Sequence, residues 1–160
     1  MTKLVGHVGT ALWPRLPAWI REALTWRLNA HFVVGTVGVV RNEAGEVLIA
    51  RHTYRRRRPW ALPGGWVRRD EDPADAVARE IFEETGLRVR ALAPLAVQRE
   101  TPRHLTVVYA ARLEGGTFRR SGEVAEVRFV APGQWPPGLR EDHQAVILHV
   151  LGGGSHDVLR

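Results

Sequence analysis

The 160-residue sequence contains no cysteine, which excludes disulfides, thiolate zinc sites and cysteine nucleophiles. It also lacks a typical signal peptide or membrane span, because His7, Thr10 and two glycines interrupt the apolar N-terminal stretch from Leu4 to Trp13. Hydrophobic residues make up 44% and charged residues 25%, a balance that excludes a disordered or fibrous chain. Length and composition together predict one globular domain, and without a signal peptide or membrane span we expect it in the cytoplasm.

Lysine is almost absent as well. Lys3 is the single lysine among 23 basic residues, so nearly every cation is an arginine. The bases outnumber 17 acidic residues and give a formal net charge of +6. Because guanidinium groups bind phosphate and carboxylate through paired hydrogen bonds, this composition predicts an anionic partner. A nucleotide, a nucleic acid and an acidic membrane all fit that prediction.

Acidic residues are sparse except in one short segment. Seven of the 17 acids lie between positions 70 and 84. They are Asp70, Glu71, Asp72, Asp75, Glu80, Glu83 and Glu84. A solvated acidic helix face accounts for such a cluster, and so does a site that holds a cation. The spacing of the acids is needed to separate these two interpretations.

Apolar periodicity and turn residues predict the secondary structure. The predicted helices span residues 16–28, 73–85 and 140–151. The predicted strands span residues 32–40, 47–49, 60–67 (interrupted by a Pro-Gly-Gly turn), 88–99, 105–113 and 124–130. This interleaved order indicates an α/β or α+β fold in which a mixed sheet lies between helices.

The first predicted helix belongs to an N-terminal extension, residues 1–30. Its apolar residues recur at helical spacing, with Arg21, Glu22 and Arg27 on the other side. Three roles stay open for this amphipathic helix: packing on the chain's own domain, contact with a membrane surface, or a homodimer contact.

The helix at 73–85 has clear boundary signals. Asp72 suits the N-cap, Pro73 suits the first helical position and Gly86 is a typical helix stop. Within it, an apolar stripe of alanine, valine, isoleucine and threonine predicts one buried face. That stripe consists of Ala74, Val77, Ala78, Ile81 and Thr85.

A stripe of glutamates flanks the apolar face of this helix. At about 100° per residue, Glu80, Glu83 and Glu84 face one spot. Their mutual repulsion destabilises a bare helix, whereas a bound divalent cation reverses the sign of that term. Oxygen ligands alone favour Mg²⁺ or Mn²⁺ over zinc. Arg79 is placed to orient a carboxylate or meet a phosphate, and Gly64–Gly65 lets the backbone approach closely.

The order Gly65, five residues, Glu71, seven residues and then Arg79-Glu80-Ile81-Phe82-Glu83-Glu84-Thr85-Gly86-Leu87 fills each fixed position of the Nudix box. On these residues the chain resembles the Nudix hydrolase family. The resemblance extends over residues 31–151 and leaves residues 152–160 as a flexible tail. It implies an α/β fold, specifically an α/β/α sandwich with a mixed β-sheet. It also implies Mg²⁺-dependent hydrolysis of a nucleoside diphosphate linked to another moiety, by attack of water on phosphorus.

The resemblance also implies roles for individual residues. Glu80, Glu83 and Glu84 would hold the metal together with a backbone carbonyl of Gly64 or Gly65, and Arg79 would orient the glutamates. The general base would be Glu80 or Glu83 of the helix, or Glu123 of a later loop with Glu126 behind it. For both later glutamates, a plain surface position is the alternative.

Four consecutive arginines and two tryptophans are the candidate substrate contacts. Arg55, Arg57 and Arg58, in the run 55–58, could bind a phosphate, and the alternative is a solvated loop. Trp66, like Trp60, could stack on a base or simply pack. Pro102, fifteen residues after the box, matches a position common in the ADP-ribose branch of the family.

Three functions fit the sequence. The first is a pyrophosphohydrolase for ADP-ribose-like or other nucleotide derivatives. The second is a pyrophosphohydrolase for nucleoside triphosphates or RNA 5′ ends, although no aromatic–basic RNA-binding motif is visible. The third is a non-catalytic ligand sensor or nucleic-acid-binding module with the same fold. The complete carboxylate set favours an enzyme with a small nucleotide-type substrate.

Overall fold

A computed structural model of the chain describes residues 13–152. The predicted tail at 152–160 therefore lies outside the described residues except for Gly152, as do the first twelve residues of the N-terminal extension. The chain divides into two compact units, Met1–Phe32 and Val33–Arg160. Among the described helices, none is both long and apolar enough to cross a membrane.

The described part of the first unit is helical. A 3-10 turn at Trp13–Arg15 precedes helix α1, Ala18–Leu28, which begins after Pro17 and ends where Asn29 donates two hydrogen bonds to the Thr25 carbonyl. The helix thus starts two residues later than predicted, because proline occupies its N-cap. Every residue of α1 is at least partly exposed. Its proposed packing, membrane and dimer roles stay predictions.

A mixed sheet of seven strands organises the second unit. The strands are β1 Val33–Arg41, β2 Val47–His52, β3 Trp60–Ala61, β4 Gly64–Trp66, β5 Leu87–Thr101, β6 His104–Gly116 and β7 Val124–Val130. Five of them follow the order β3-β2-β1-β6-β5, while β4 pairs with β1 and β7 with β2. Only the β1–β6 pairing is parallel among those formed by the described strands. The predicted strand 60–67 is thus two strands that pair with different neighbours.

One helix packs on each face of this sheet. Helix α2, Pro73–Thr85, covers one face and helix α3, Glu141–Leu151, covers the other. Because successive strand residues point to opposite faces, neighbours in β1 and β2 divide between the two cores. Val40 and Leu48 pack with α2, whereas Val39 and Val47 pack with α3. The predicted α/β/α sandwich with a mixed sheet is confirmed.

The boundaries of α2 follow from its local signals. The Asp72 carboxylate accepts a hydrogen bond from the Ala74 N–H at 2.8 Å, Pro73 occupies the first turn, and Gly86 ends the helix at φ 75°. Val77, Ile81 and Thr85 are fully buried, as the apolar stripe predicts. Two further residues of the helix, Ala76 and Glu84, are also buried, although the predicted apolar stripe does not include them.

The ring of a buried histidine at the end of β2 makes no hydrogen bond to the described part of the chain. His52 is 4% exposed, and neither ring nitrogen has a partner among residues 13–152. Its burial, together with the charges of Arg55 and Arg140, lowers its pKa from 6.5 to about 4. Since this pKa lies below the unfolded value, protonation favours the unfolded chain. Stability that is present above pH 6.5 is lost as the pH falls toward 4.

We predict that His52→Leu reduces the acid sensitivity of the fold. Between pH 7 and pH 4.5 the His52 term costs the wild type about 2 kcal/mol of unfolding free energy, a cost that leucine does not carry. Urea denaturation at both pH values measures this difference. His149→Leu, at a partly exposed position of α3, is the control. Equal acid sensitivity of wild type and His52→Leu would show that this histidine does not titrate as described.

Candidate functional site

The site begins where β4 pairs antiparallel with β1. Gly64, whose φ is 148°, lies opposite Val37, and a Cβ at Gly64 would collide with the Thr36 carbonyl oxygen. A Cβ at the next residue, Gly65, would collide with the Glu80 carboxylate. The collision at Gly64 is with backbone and requires glycine, whereas the contact at Gly65 is with the end of the Glu80 side chain. These close approaches bring the β4 backbone directly against the acidic stripe of α2.

Glu84 is the innermost carboxyl of the stripe. It is 7% exposed and accepts a hydrogen bond from the Gly64 N–H at 3.3 Å. Burial raises its pKa to about 8, and the Gly64 hydrogen bond opposes that rise. The nearby charges of Glu80 and Glu123 raise the pKa further. A cation at this position would therefore stabilise the ionised form of Glu84.

Arg79 forms hydrogen bonds to the three other carboxylates near Glu84. Its guanidinium donates to Glu71 at 2.6 and 2.9 Å, to Glu80 at 2.7 Å and to Glu83 at 3.2 Å. A further bond of 3.0 Å reaches the Trp66 carbonyl. The Arg79 contact is the main reason that the pKa of Glu71 falls to about 2. The arginine therefore ties α2 to the loop that follows β4.

Glu83 lies at the outer edge of the stripe. Its side chain is 46% exposed, and the Arg68 guanidinium donates to both of its carboxylate oxygens at 3.1 and 3.2 Å. The three predicted ligands thus differ in exposure, from buried Glu84 through Glu80 to open Glu83.

The donor chemistry of this cluster fits a hard divalent cation. Carboxylate oxygens converge on a glycine backbone, and a buried carboxyl has a raised pKa that positive charge would lower. Within residues 13–152, however, no three acidic, histidine or cysteine side chains are already arranged as a metal-binding group. Arg79 bridges Glu80 and Glu83 instead.

The two later glutamates differ in their surroundings. Glu123 lies in the exposed turn before β7, and its charge raises the pKa of Glu84, so it belongs to the same neighbourhood. The Thr53 N–H donates to the Glu123 carbonyl at 2.8 Å and fixes that turn. Glu126, within β7, instead pairs with Arg128 at 2.7 Å.

The predicted substrate contacts occupy two places around the cluster. Arg55 is close enough for its charge to lower the pKa of Glu84, while Arg58 pairs with Glu141 at 2.8 Å. Arg57 lies between them in sequence, and all three arginines line one surface groove. Trp66 is 54% exposed, and its ring centroid lies 4.5 Å from that of His104. Trp60, in contrast, is a core residue, 5% exposed.

The sequence did not reveal one residue that holds the backbone just before Gly64 and Gly65. His143 of α3, which is 4% exposed, accepts a hydrogen bond from the Leu62 N–H through Nδ1 at 2.8 Å. Burial, with Arg140 nearby, lowers the pKa of His143 and keeps the accepting nitrogen unprotonated. The bond joins positions 81 apart, so no local pattern could have revealed it.

We predict that Gly64→Ala destabilises the fold more than Gly133→Ala does. Both glycines have positive φ, but only Gly64 faces a collision, since nothing lies within 4 Å of a Cβ at Gly133. Strained backbone costs about 1–3 kcal/mol, and the collision adds to that at Gly64. Urea denaturation measures both variants. Equal losses would contradict the described contact between β4 and β1.

Comparison of the sequence with known proteins identifies a family and its relatives. Residues 31–150 match the NUDIX domain. The chain is 34% identical over 125 residues to a MutT-like protein from Streptomyces ambofaciens, covering 77% of this chain and 80% of that protein. It is 30% identical over 132 residues to an ADP-ribose pyrophosphatase from Methanocaldococcus jannaschii, covering 79% and 78%.

A solved structure has the same fold. The crystal structure of an ADP-ribose pyrophosphatase from Streptococcus suis superimposes with a TM-score of 0.63 at 26% identity, over 78% of this chain and 93% of the other. The box from Gly65 to Leu87 thus lies in the strand, loop and helix that surround the carboxylates, inside a matching domain. The chain belongs to the Nudix hydrolase family.

Proposed function

We propose that the chain is a divalent-metal-dependent pyrophosphohydrolase that cleaves a nucleoside diphosphate linked to another moiety, with ADP-ribose-like compounds as the leading class. The observation that carries this proposal is the packing of Glu80 and Glu84 against the Gly64–Gly65 backbone. The name of one relative, an ADP-ribose pyrophosphatase, supports the same reaction class.

Glu80, Glu83, Glu84 and the Gly64 carbonyl would hold Mg²⁺ or Mn²⁺. Bound there, the cation supplies Lewis acidity toward the pyrophosphate and the attacking water. Arg79 keeps Glu80 and Glu83 oriented. Because it also holds Glu71 and the Trp66 carbonyl, the carboxylates and the loop keep one relative position.

The water that attacks phosphorus must lose a proton to a carboxylate. Glu83 is the helix candidate for this base because it is exposed, and Glu80 lies beside it. Glu123 is the loop candidate, since it is exposed and its charge reaches Glu84. Replacement of each by glutamine separates these candidates: the base is the residue whose loss removes the acidic limb of the pH–rate profile, along which the rate rises as the base loses its proton.

A nucleoside triphosphate is the second candidate substrate. The observation in its favour is the run of arginines at 55–58, which borders the carboxylates through Arg55. Recognition of an RNA 5′ end would use the same phosphate chemistry. A cytoplasmic location and a small-molecule partner complete the proposal.

We predict that Glu83→Gln lowers kcat at least about 100-fold, because the variant removes a metal ligand and a candidate base together. The assay measures phosphate and nucleoside monophosphate release with Mg²⁺ from ADP-ribose, NADH, dinucleoside polyphosphates and deoxynucleoside triphosphates. Glu126→Gln, whose side chain pairs with Arg128, is the control. Retained activity in Glu83→Gln would mean that the cluster is misassigned, and no turnover of any compound by the wild type would contradict the proposed function.

We predict that Arg79→Lys weakens the apparent affinity for Mg²⁺ and lowers activity by about 10–100-fold. An ammonium group cannot replace a planar fork that binds three carboxylates and a carbonyl at once. Activity measured against Mg²⁺ concentration tests this. Arg90→Lys is the control, because Arg90 forms one exposed pair with Glu114. An unchanged Mg²⁺ dependence in Arg79→Lys would contradict the positioning role.

A further inference from the structure

The four consecutive arginines lie in a loop that is held at both ends. The His52 N–H donates to the Pro59 carbonyl at 2.7 Å and closes the loop. Gly138 packs so closely against it that a Cβ there would lie 2.9 Å from Pro59 Cδ and 3.2 Å from the Arg57 carbonyl oxygen. The Arg140 N–H donates to the Trp60 carbonyl at 3.2 Å. The loop is therefore fixed against the segment that leads into α3, unlike a freely solvated charge run.

This arrangement borders an open surface groove of about 630 Å³, the arginine groove. The groove is lined by Arg55, Arg56, Arg57, Arg58, Arg140, Glu141 and Asp142. Five guanidinium groups face two carboxylates, a formal excess of three positive charges. Arg58 pairs with Glu141, and Arg140 pairs with Asp142. Arg55, Arg56 and Arg57 have no carboxylate partner within residues 13–152, so their charges are available to a ligand.

One hydrogen bond connects the wall of the groove to the backbone of the carboxylate site. Asp142, which lines the groove, precedes His143 in α3. The His143 ring accepts the Leu62 N–H at 2.8 Å, two residues before Gly64.

A second hydrogen bond connects the arginine loop to the same site. Thr53, two residues before Arg55, donates through its N–H to the Glu123 carbonyl at 2.8 Å. The groove and the carboxylate cluster are thus adjacent and have opposite charge.

We propose that the arginine groove binds a phosphate group of the substrate that is not itself attacked. This rests on the proposed function and, within it, selects compounds that carry a phosphate beyond the pyrophosphate that is cleaved. The preferred ADP-ribose-like compound then bears a phosphomonoester, and ADP-ribose itself leaves the groove empty. An unphosphorylated sugar would leave three guanidinium groups without an anionic partner. The phosphate could be the third in a polyphosphate chain or a phosphomonoester on a sugar. Both are dianions that the planar guanidinium fork recognises.

The test is calorimetric titration with two pairs of compounds that differ by one phosphate. ADP and ATP differ by a chain phosphate, whereas NADH and NADPH differ by a phosphomonoester. Titrations in EDTA at low ionic strength prevent metal-dependent turnover, so they report on the groove.

The variant is Arg56→Ala with Arg57→Ala, which leaves no acid unpaired. The control is Arg41→Ala with Arg112→Ala, the same charge change at two exposed neighbours on β1 and β6. Thermal unfolding checks that both variants are folded.

We expect the wild type and the control to bind the extra phosphate of at least one pair about tenfold more tightly. The groove variant should lose that preference. If the groove variant loses its preference for ATP over ADP, the groove binds a chain phosphate. If it loses its preference for NADPH over NADH, the groove binds a phosphomonoester. Equal affinities within both pairs for the wild type, or an equal loss in the control, would overturn the proposal. Because no turnover is involved, a failure of hydrolysis and a failure of the groove are separate results.

Discussion

The guanidinium of Arg79 is the contact on which the rest of the site depends. Glu80 and Glu83 repel each other on one helix, and Glu71 adds a third negative charge from the preceding loop. Arg79 bonds to all three and to the Trp66 carbonyl, so one cation offsets several repulsions and joins α2 to β4. Its side chain is only 17% exposed, which makes water a weak competitor for these bonds.

Opposite charges are separated within one small domain. The carboxylates lie on α2 against the Gly64–Gly65 backbone, and the arginine groove lies between the loop at 55–58 and the start of α3. A pyrophosphate compound carries negative charge that the carboxylates alone would repel. A cation bound at the carboxylates would, together with the guanidinium groups of the arginine groove, attract such a compound.

Much of this site could be predicted from local patterns. Asp72, Pro73 and Gly86 mark the ends of α2 whatever surrounds it, and the helical period places Arg79 beside Glu83. The burial of Glu84 could not be predicted, since it depends on the pairing of β4 with β1 at Gly64. The bond from Leu62 to His143 and the approach of Arg140 to the arginine run arise from docking of α3 on the sheet. Contacts between distant positions have no periodic signal in one sequence.

The central claim is that the acidic stripe of α2, held by Arg79 and completed by buried Glu84, is a divalent cation site. Its most direct test is a Mn²⁺ titration followed by electron paramagnetic resonance, with wild type, Glu84→Gln and Glu126→Gln compared. Glutamine at position 84 can still accept the Gly64 hydrogen bond while it removes the charge. We predict saturable Mn²⁺ binding by the wild type and by Glu126→Gln, and an affinity at least about tenfold weaker for Glu84→Gln. Equal Mn²⁺ binding by all three proteins would contradict this account.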